Sequence, residues 1–137
     1  MAKKKKSPKS KYHNVKREYK GLKFDSLAEL GRYLQLLTLE KAGLIRLIRT
    51  QAKFDLWADD YFSNNATKVA FYRADFVYEM KDGDGWVEVV EDVKGQKSGP
   101  AWAMFRIKAK IFAANYGHEI VVIDGNQTRK SVPKNLL

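Results

Sequence analysis

At 137 residues with 45% hydrophobic content, the chain is sized for one ordinary domain with a real core. The absence of cysteine excludes a disulfide framework and a thiolate zinc site, no apolar run approaches the about 18 residues of a membrane-spanning helix, and Met1-Ala-Lys-Lys-Lys-Lys6 has no apolar leader core, so a cytoplasmic protein without membrane contact is expected. The net charge of +10 is unevenly placed: residues 1–23 hold ten Lys or Arg and one acid, Glu18, whereas residues 24–137 hold sixteen basic and fifteen acidic side chains.

The charge pattern divides the chain into a basic arm (1–23), a body (24–123) and a polar tail (124–137). Lys3, Lys4, Lys5 and Lys6, with Lys9 and Lys11, repel one another and are not expected to order alone. Such a run can tether nucleic acid by releasing counterions from phosphates. Its plainer reading is a solubilising tail. An anionic membrane would call for an amphipathic helix or a lipidation signal, and neither is present.

Val15 to Phe24 is expected as a short hairpin over Lys20-Gly21. Ser26-Leu-Ala-Glu29 is a capping box, and Leu27, Leu30, Leu34 and Leu37 recur at helical spacing up to Gly43, which predicts a helix over 26–42. Leu44–Arg49 and Gln51–Trp57 alternate as two strands or one bent strand, followed by a polar loop over 58–67. Ser98-Gly99-Pro100 opens a second helix, about 101–116, closed by Gly117. Its buried stripe is predicted as Ala103, Met104, Ile107, Ile111 and Ala114, with Trp102, Arg106 and Lys110 on another face. A nearly continuous apolar strand, 119–123, is expected to be buried. The element order predicts an α/β fold with a mixed sheet flanked by two helices.

The most informative stretch is Val69 to Gly95, two β-branched and aromatic segments joined by Lys81-Asp-Gly-Asp-Gly85. A turn centred on Gly83-Asp84 places Asp75 opposite Asp92; a turn on Asp84-Gly85 places Asp75 opposite Lys94. In either register Asp75, Asp92 and Lys94 share one face, and only a bulge or an odd-length loop separates them. Two carboxylates so close repel unless a cation lies between them, which makes a divalent-metal site with a lysine beside it. The alternative is a surface ion-pair cluster in which Arg73 and Lys94 neutralise the two acids.

Asp75, preceded by Ala74 and followed after a hairpin by Asp92-Val93-Lys94, resembles the core of the PD-(D/E)XK, or restriction-endonuclease-like, nucleases, with Ala74 in place of the motif's proline. That family also places a glutamate on the helix before the sheet, and Glu29 stands at the matching position. Its α-β-β-β-α-β order matches residues 24–123. Within the superfamily, the small size, the basic arm and the Lys94-Gly95 step look most like phage-encoded endonucleases, junction-resolving enzymes among them.

The resemblance implies a Mg²⁺-dependent DNA endonuclease, with Mn²⁺ substituting, that leaves 5′-phosphate and 3′-hydroxyl ends. Asp75 and Asp92 would be direct metal ligands, the Val93 backbone carbonyl a further one, and Glu29 a ligand directly or through water. Lys94 would either activate the attacking water or stabilise phosphoryl charge as an ammonium. Glu29 has a competing explanation in the capping box itself. Glu91, on the opposite strand face, is left out of the set, and Glu79 and Glu88 are expected to be solvated.

Gln96 and Lys97 after the catalytic strand, and Arg106, Lys108 and Lys110 on the second helix, are candidate phosphate contacts beside the Lys3–Lys6 run; each is equally readable as exposed surface. With no large insertion to read bases in the major groove, branched or structured DNA is the expected substrate and a homodimer the expected assembly. Two rivals stand beside this reading. One is a non-catalytic nucleic-acid-binding protein with a structural acidic cluster, and the other keeps the nuclease chemistry but directs it at transposon ends or RNA.

Overall fold

Lys20 (φ 49°) and Gly21 (φ 83°) both take left-handed backbone and turn Arg17–Tyr19 (β1) back on Leu22–Phe24 (β2), the expected hairpin. The structure is a computed structural model that describes residues 16–137, so Lys3, Lys4, Lys5 and Lys6 lie outside the described residues. Tyr19 and Phe24 set their rings against Tyr33 of the next helix, so the packed body begins within the segment assigned to the arm by charge.

That helix, Leu27–Lys41 (α1), starts where Ser26 Oγ accepts the Glu29 N–H at 3.1 Å and ends before Gly43 (φ 78°). The strand that follows is one bent element, Ile45–Asp59 (β3), kinked where Leu47 takes φ 58° and the register shifts between Arg46 and Arg49. It pairs with Ala66–Asp82 (β4), which pairs in turn with Gly85–Lys94 (β5). Asp82 faces Gly85, so the turn is Gly83-Asp84, the first of the two registers considered.

Gly99–Tyr116 (α2) then carries the chain to Val121–Asp124 (β6), which lies parallel to β5 and completes the sheet order β3-β4-β5-β6. The sheet is therefore mixed. α1 covers one face with Leu30 and Leu36 against Phe76, Tyr78 and Val93. α2 covers the other with Phe105 and Phe112 against Tyr72, Val77 and Val90. Among the described residues no helix is long and apolar enough to cross a membrane.

Three sequence expectations are corrected. α2 buries Phe105 and Phe112, with Trp102, Ala109 and Ile111 beside them, whereas Met104 and Ile107 are 53% and 56% exposed. Both stripes have helical spacing, and the aromatic one wins because it removes more apolar area from water. The second correction is the polar tail. Residues 125–136 fold as a short helix, Gly125–Thr128 (α3), and two 3-10 turns, with Val132 buried against α1. β6 is also less buried than its composition suggests, since it forms a sheet edge where Val121 is exposed.

The joint between α1 and α3 is made backbone to backbone. A Cβ on Gly31 would sit 1.8 Å from the Thr128 carbonyl oxygen, and Thr128 Oγ1 donates to the Ala28 carbonyl at 2.7 Å. Gly31→Ala is expected to destabilise the fold by about 2–3 kcal/mol, the cost of overpacking a site that must shift to admit a methyl group. Urea denaturation measures this, and an unchanged midpoint would show that the C-terminal segment gives way freely.

Candidate functional site

The β4–β5 ladder runs from Asp82↔Gly85 to Phe76↔Glu91 and stops there, while β5 continues along β6 from Glu91↔Val121 to Lys94↔Asp124. Asp75 and Asp92 are the next pair, at the point where the strands part. The alternation of β4 slips here: Ala74 and Val77 both pack on the α2 side, whereas Phe76 and Tyr78 pack on the α1 side. Gln51, facing Asp75 in the β3 register, takes φ 55°. The irregularity stays within one pair, and Asp75 and Asp92 remain together.

Each carboxylate is held by fixed donors. Asp75 Oδ2 accepts the Val93 N–H at 2.8 Å, and its Oδ1 accepts from Gln51 Nε2 at 3.3 Å. Asp92, 5% exposed, takes the Tyr72 hydroxyl on Oδ2 at 2.6 Å and Lys94 Nζ on Oδ1 at 3.1 Å. The Lys94 ammonium also lies 4.4 Å from the centre of the Phe105 ring. Burial and the Asp92 charge push the Tyr72 phenol well above its usual range, which keeps it a donor. Arg73 forms no ion pair with Asp75, so the neutralised surface cluster considered as an alternative is realised only between Lys94 and Asp92.

Glu29 reaches the same place from α1. Half of the capping box forms, the Ser26 hydroxyl accepting from the Glu29 N–H, but the returning bond to the Ser26 amide is absent and Glu29 Oε2 is buried with no partner. Burial, then the charge of Asp25 and, more weakly, that of Asp92, push its carboxyl up to about 7. Burial, then Asp92 and Glu29, push Asp75 up to about 8, against the pull of the Val93 N–H. The Asp92 charge thus adds to the cost of ionising both Glu29 and Asp75, and Glu29 adds to that of Asp75.

An orphaned buried oxygen and mutually repelling carboxylates fit a divalent cation. Among the described residues no three Asp, Glu, His or Cys side chains stand ready to enclose an ion by themselves. Mg²⁺ needs only one or two carboxylates, because it keeps several of its waters. Both oxygens of Asp75 and Asp92 Oδ2 each accept one hydrogen bond, Asp92 Oδ1 meets the Lys94 ammonium, and a carboxylate oxygen with one such partner retains a lone pair.

Glu29, Val93 and Lys94 line a cleft of about 700 Å³, together with Gln96, Trp102 and Arg129. Gln96 bonds Ser98 Oγ at 3.0 Å in the cleft wall, whereas Lys97 is exposed in the same loop. Arg106 and Lys110 are exposed on α2, Lys108 turns towards Phe71, and none of the three lines the cleft. Glu91 lies on the α1 face, as expected, forked by Arg32. Glu79 and Glu88 are at the surface, paired with Arg46 and His118.

Sequence reasoning missed Tyr72, Gln51 and Arg129. Strict alternation puts Tyr72 on the face away from Asp75, and only the slip unites them; Gln51 depends on a left-handed backbone that its residue type does not announce.

The raised carboxyls make stability depend on pH in the metal-free chain. Glu29 and Asp75 bind protons more tightly when folded than at their ordinary values of 4.5 and 3.8, so the stability those protons lend is full below about pH 4 and lost as pH rises through 7 and 8. Thermal unfolding in EDTA is expected to show melting temperature falling across that window. Added Mg²⁺ should raise it more at pH 8 than at pH 6, and an effect independent of pH would remove these carboxyls from the site.

Residues 9–127 match a family model described as "Protein of unknown function (DUF1064)". No curated protein and no solved structure matches the chain.

Proposed function

The chain belongs to the DUF1064 family, and we propose that it is a divalent-metal-dependent DNA endonuclease of the PD-(D/E)XK type, acting on branched or structured DNA as a homodimer. The observation that carries this reading is the meeting of Asp75, Asp92, Lys94 and Glu29 where β4 and β5 part, beside an open cleft. The element order, with a mixed sheet between α1 and α2, agrees with the restriction-endonuclease-like core that the motif implies. Branched DNA is preferred as substrate because no inserted subdomain for reading base edges interrupts the described elements.

In this reading Asp75 and Asp92, with Glu29 directly or through water and the Val93 carbonyl, hold Mg²⁺. When bound, the cation supplies neutralisation of phosphoryl charge and a more acidic water. Val93 N–H, Gln51 and Tyr72 fix the carboxylates before substrate arrives, which avoids reorganisation during the reaction. Lys94, set between Asp92 and the Phe105 ring, acts as a positive charge beside the attacked phosphate. Gln96 and Arg129 position a phosphate in the cleft.

The test is incubation of the full chain with supercoiled plasmid, linear duplex, four-way junction, flap and RNA in Mg²⁺, Mn²⁺ or EDTA. Cutting of junction or flap DNA in metal and none in EDTA is the expected result. Cutting confined to RNA reassigns the substrate, and no cutting of any of them in metal leaves the non-catalytic binding protein.

A further inference from the structure

Past Asp75, towards the Asp60–Asn65 loop, β4 has only β3 beside it, because β5 pairs with it from Phe76 to Asp82 and no further. On the outward face of this two-stranded arm Lys53 stands directly opposite Arg73, and Asp55 opposite Phe71. Like charges facing each other across a ladder cost stability. Neither Lys53 nor Arg73 has a carboxylate within ion-pair distance among the described residues, and the same holds for Lys108, which reaches in from α2. Asp55, the acid nearest in register, is already paired with Lys68 at 3.1 Å.

The two lysines instead stand 4.7 and 5.4 Å from the centre of the Phe71 ring, which is 43% exposed. Three uncompensated cations around a half-exposed aromatic face call for a partner that is polyanionic and offers flat rings. Arg73 also lies two residues from Asp75 on one strand, about 7 Å along it. We propose that Lys53, Phe71, Arg73 and Lys108 form a nucleic-acid contact surface on the β3–β4 arm, seating the phosphate backbone and leading it to Asp75. The direction of this path rests on the nuclease reading; the surface itself does not.

The experiment is a titration of fluorescent four-way junction and duplex with the full chain in EDTA, so that binding is read without cutting, over about 50–200 mM salt. The triple variant Lys53→Gln, Arg73→Gln, Lys108→Gln is expected to bind at least about tenfold more weakly, and its slope of log affinity against log salt should shrink by about 2–3, roughly 0.9 for each phosphate no longer neutralised. All three side chains lie at the surface or half-buried, and circular dichroism checks that the fold is kept.

Affinity and slope equal to those of the parent chain overturn the proposal. So does unchanged affinity with an altered sedimentation coefficient, which would make the patch an interface between copies of the chain. If the parent cuts nothing in metal but the triple variant still loses affinity, the surface stands and the nuclease reading falls.

Discussion

Asp75→Asn is expected to lower metal-dependent cleavage by about 10²–10³-fold or more while leaving the chain at least as stable as the parent at pH 8. The two halves of that result have one cause. Without metal, Asp75 is a poorly placed anion, half-buried, its carboxyl pushed up to about 8 by loss of solvent and then by the charges of Asp92 and Glu29. An asparagine of the same shape still offers an oxygen to the Val93 N–H and removes the repulsion. In the proposed site it would also replace a carboxylate ligand with an amide, which a divalent cation holds less strongly. Junction binding in EDTA should hold or improve, since one negative charge has gone. Cleavage near the parent rate would take Asp75 out of the site, and a large fall in melting temperature would make its role structural.

The largest effect on stability is expected at Arg32. Its guanidinium grips Glu91 through two bonds, Nε–Oε1 at 2.8 Å and Nη2–Oε2 at 2.6 Å, and the Tyr78 hydroxyl donates to the same carboxylate. Glu91 is 1% exposed. Arg32→Ala strands a carboxylate in the core and is expected to cost about 3–5 kcal/mol. Adding Glu91→Gln should recover part of that loss, because the amide carries no charge to strand. Urea denaturation of both variants measures the difference, and a single variant as stable as the double would mean that Glu91 finds water once its partner leaves. The folded fraction should retain any metal-dependent cleavage, since Glu91 and Asp92 point to opposite faces of β5.

Much of this was legible in the sequence, and the reasons are local. Ser26 three residues before Glu29 marks a helix start by spacing alone, and a two-residue turn at Gly83-Asp84 settles the ladder by counting. From that count follows the shared face of Asp92 and Lys94, because parity along a regular strand needs no tertiary information. What stayed hidden depends on competition between distant groups. The orientation of α2 is a contest between two stripes, decided by what the sheet offers to Phe105 and Phe112. Folding of residues 125–136 rests on Thr128 and Val132 finding α1, which composition does not reveal. The Asp75 slip belongs to neither strand alone, and it is what recruits Tyr72 and Gln51.

The joint at Gly31 and Thr128 bears on when the cleft can exist. Glu29 sits on a helix buttressed by a hydrogen bond spanning 100 positions of sequence, and Arg129 in the cleft wall comes from the same late segment. During synthesis the ribosome delivers the two strand acids first and this brace only afterwards. A chain interrupted before the brace emerges would carry every acidic group of the centre without the Gly125, Asn126 and Arg129 side of the wall that frames them.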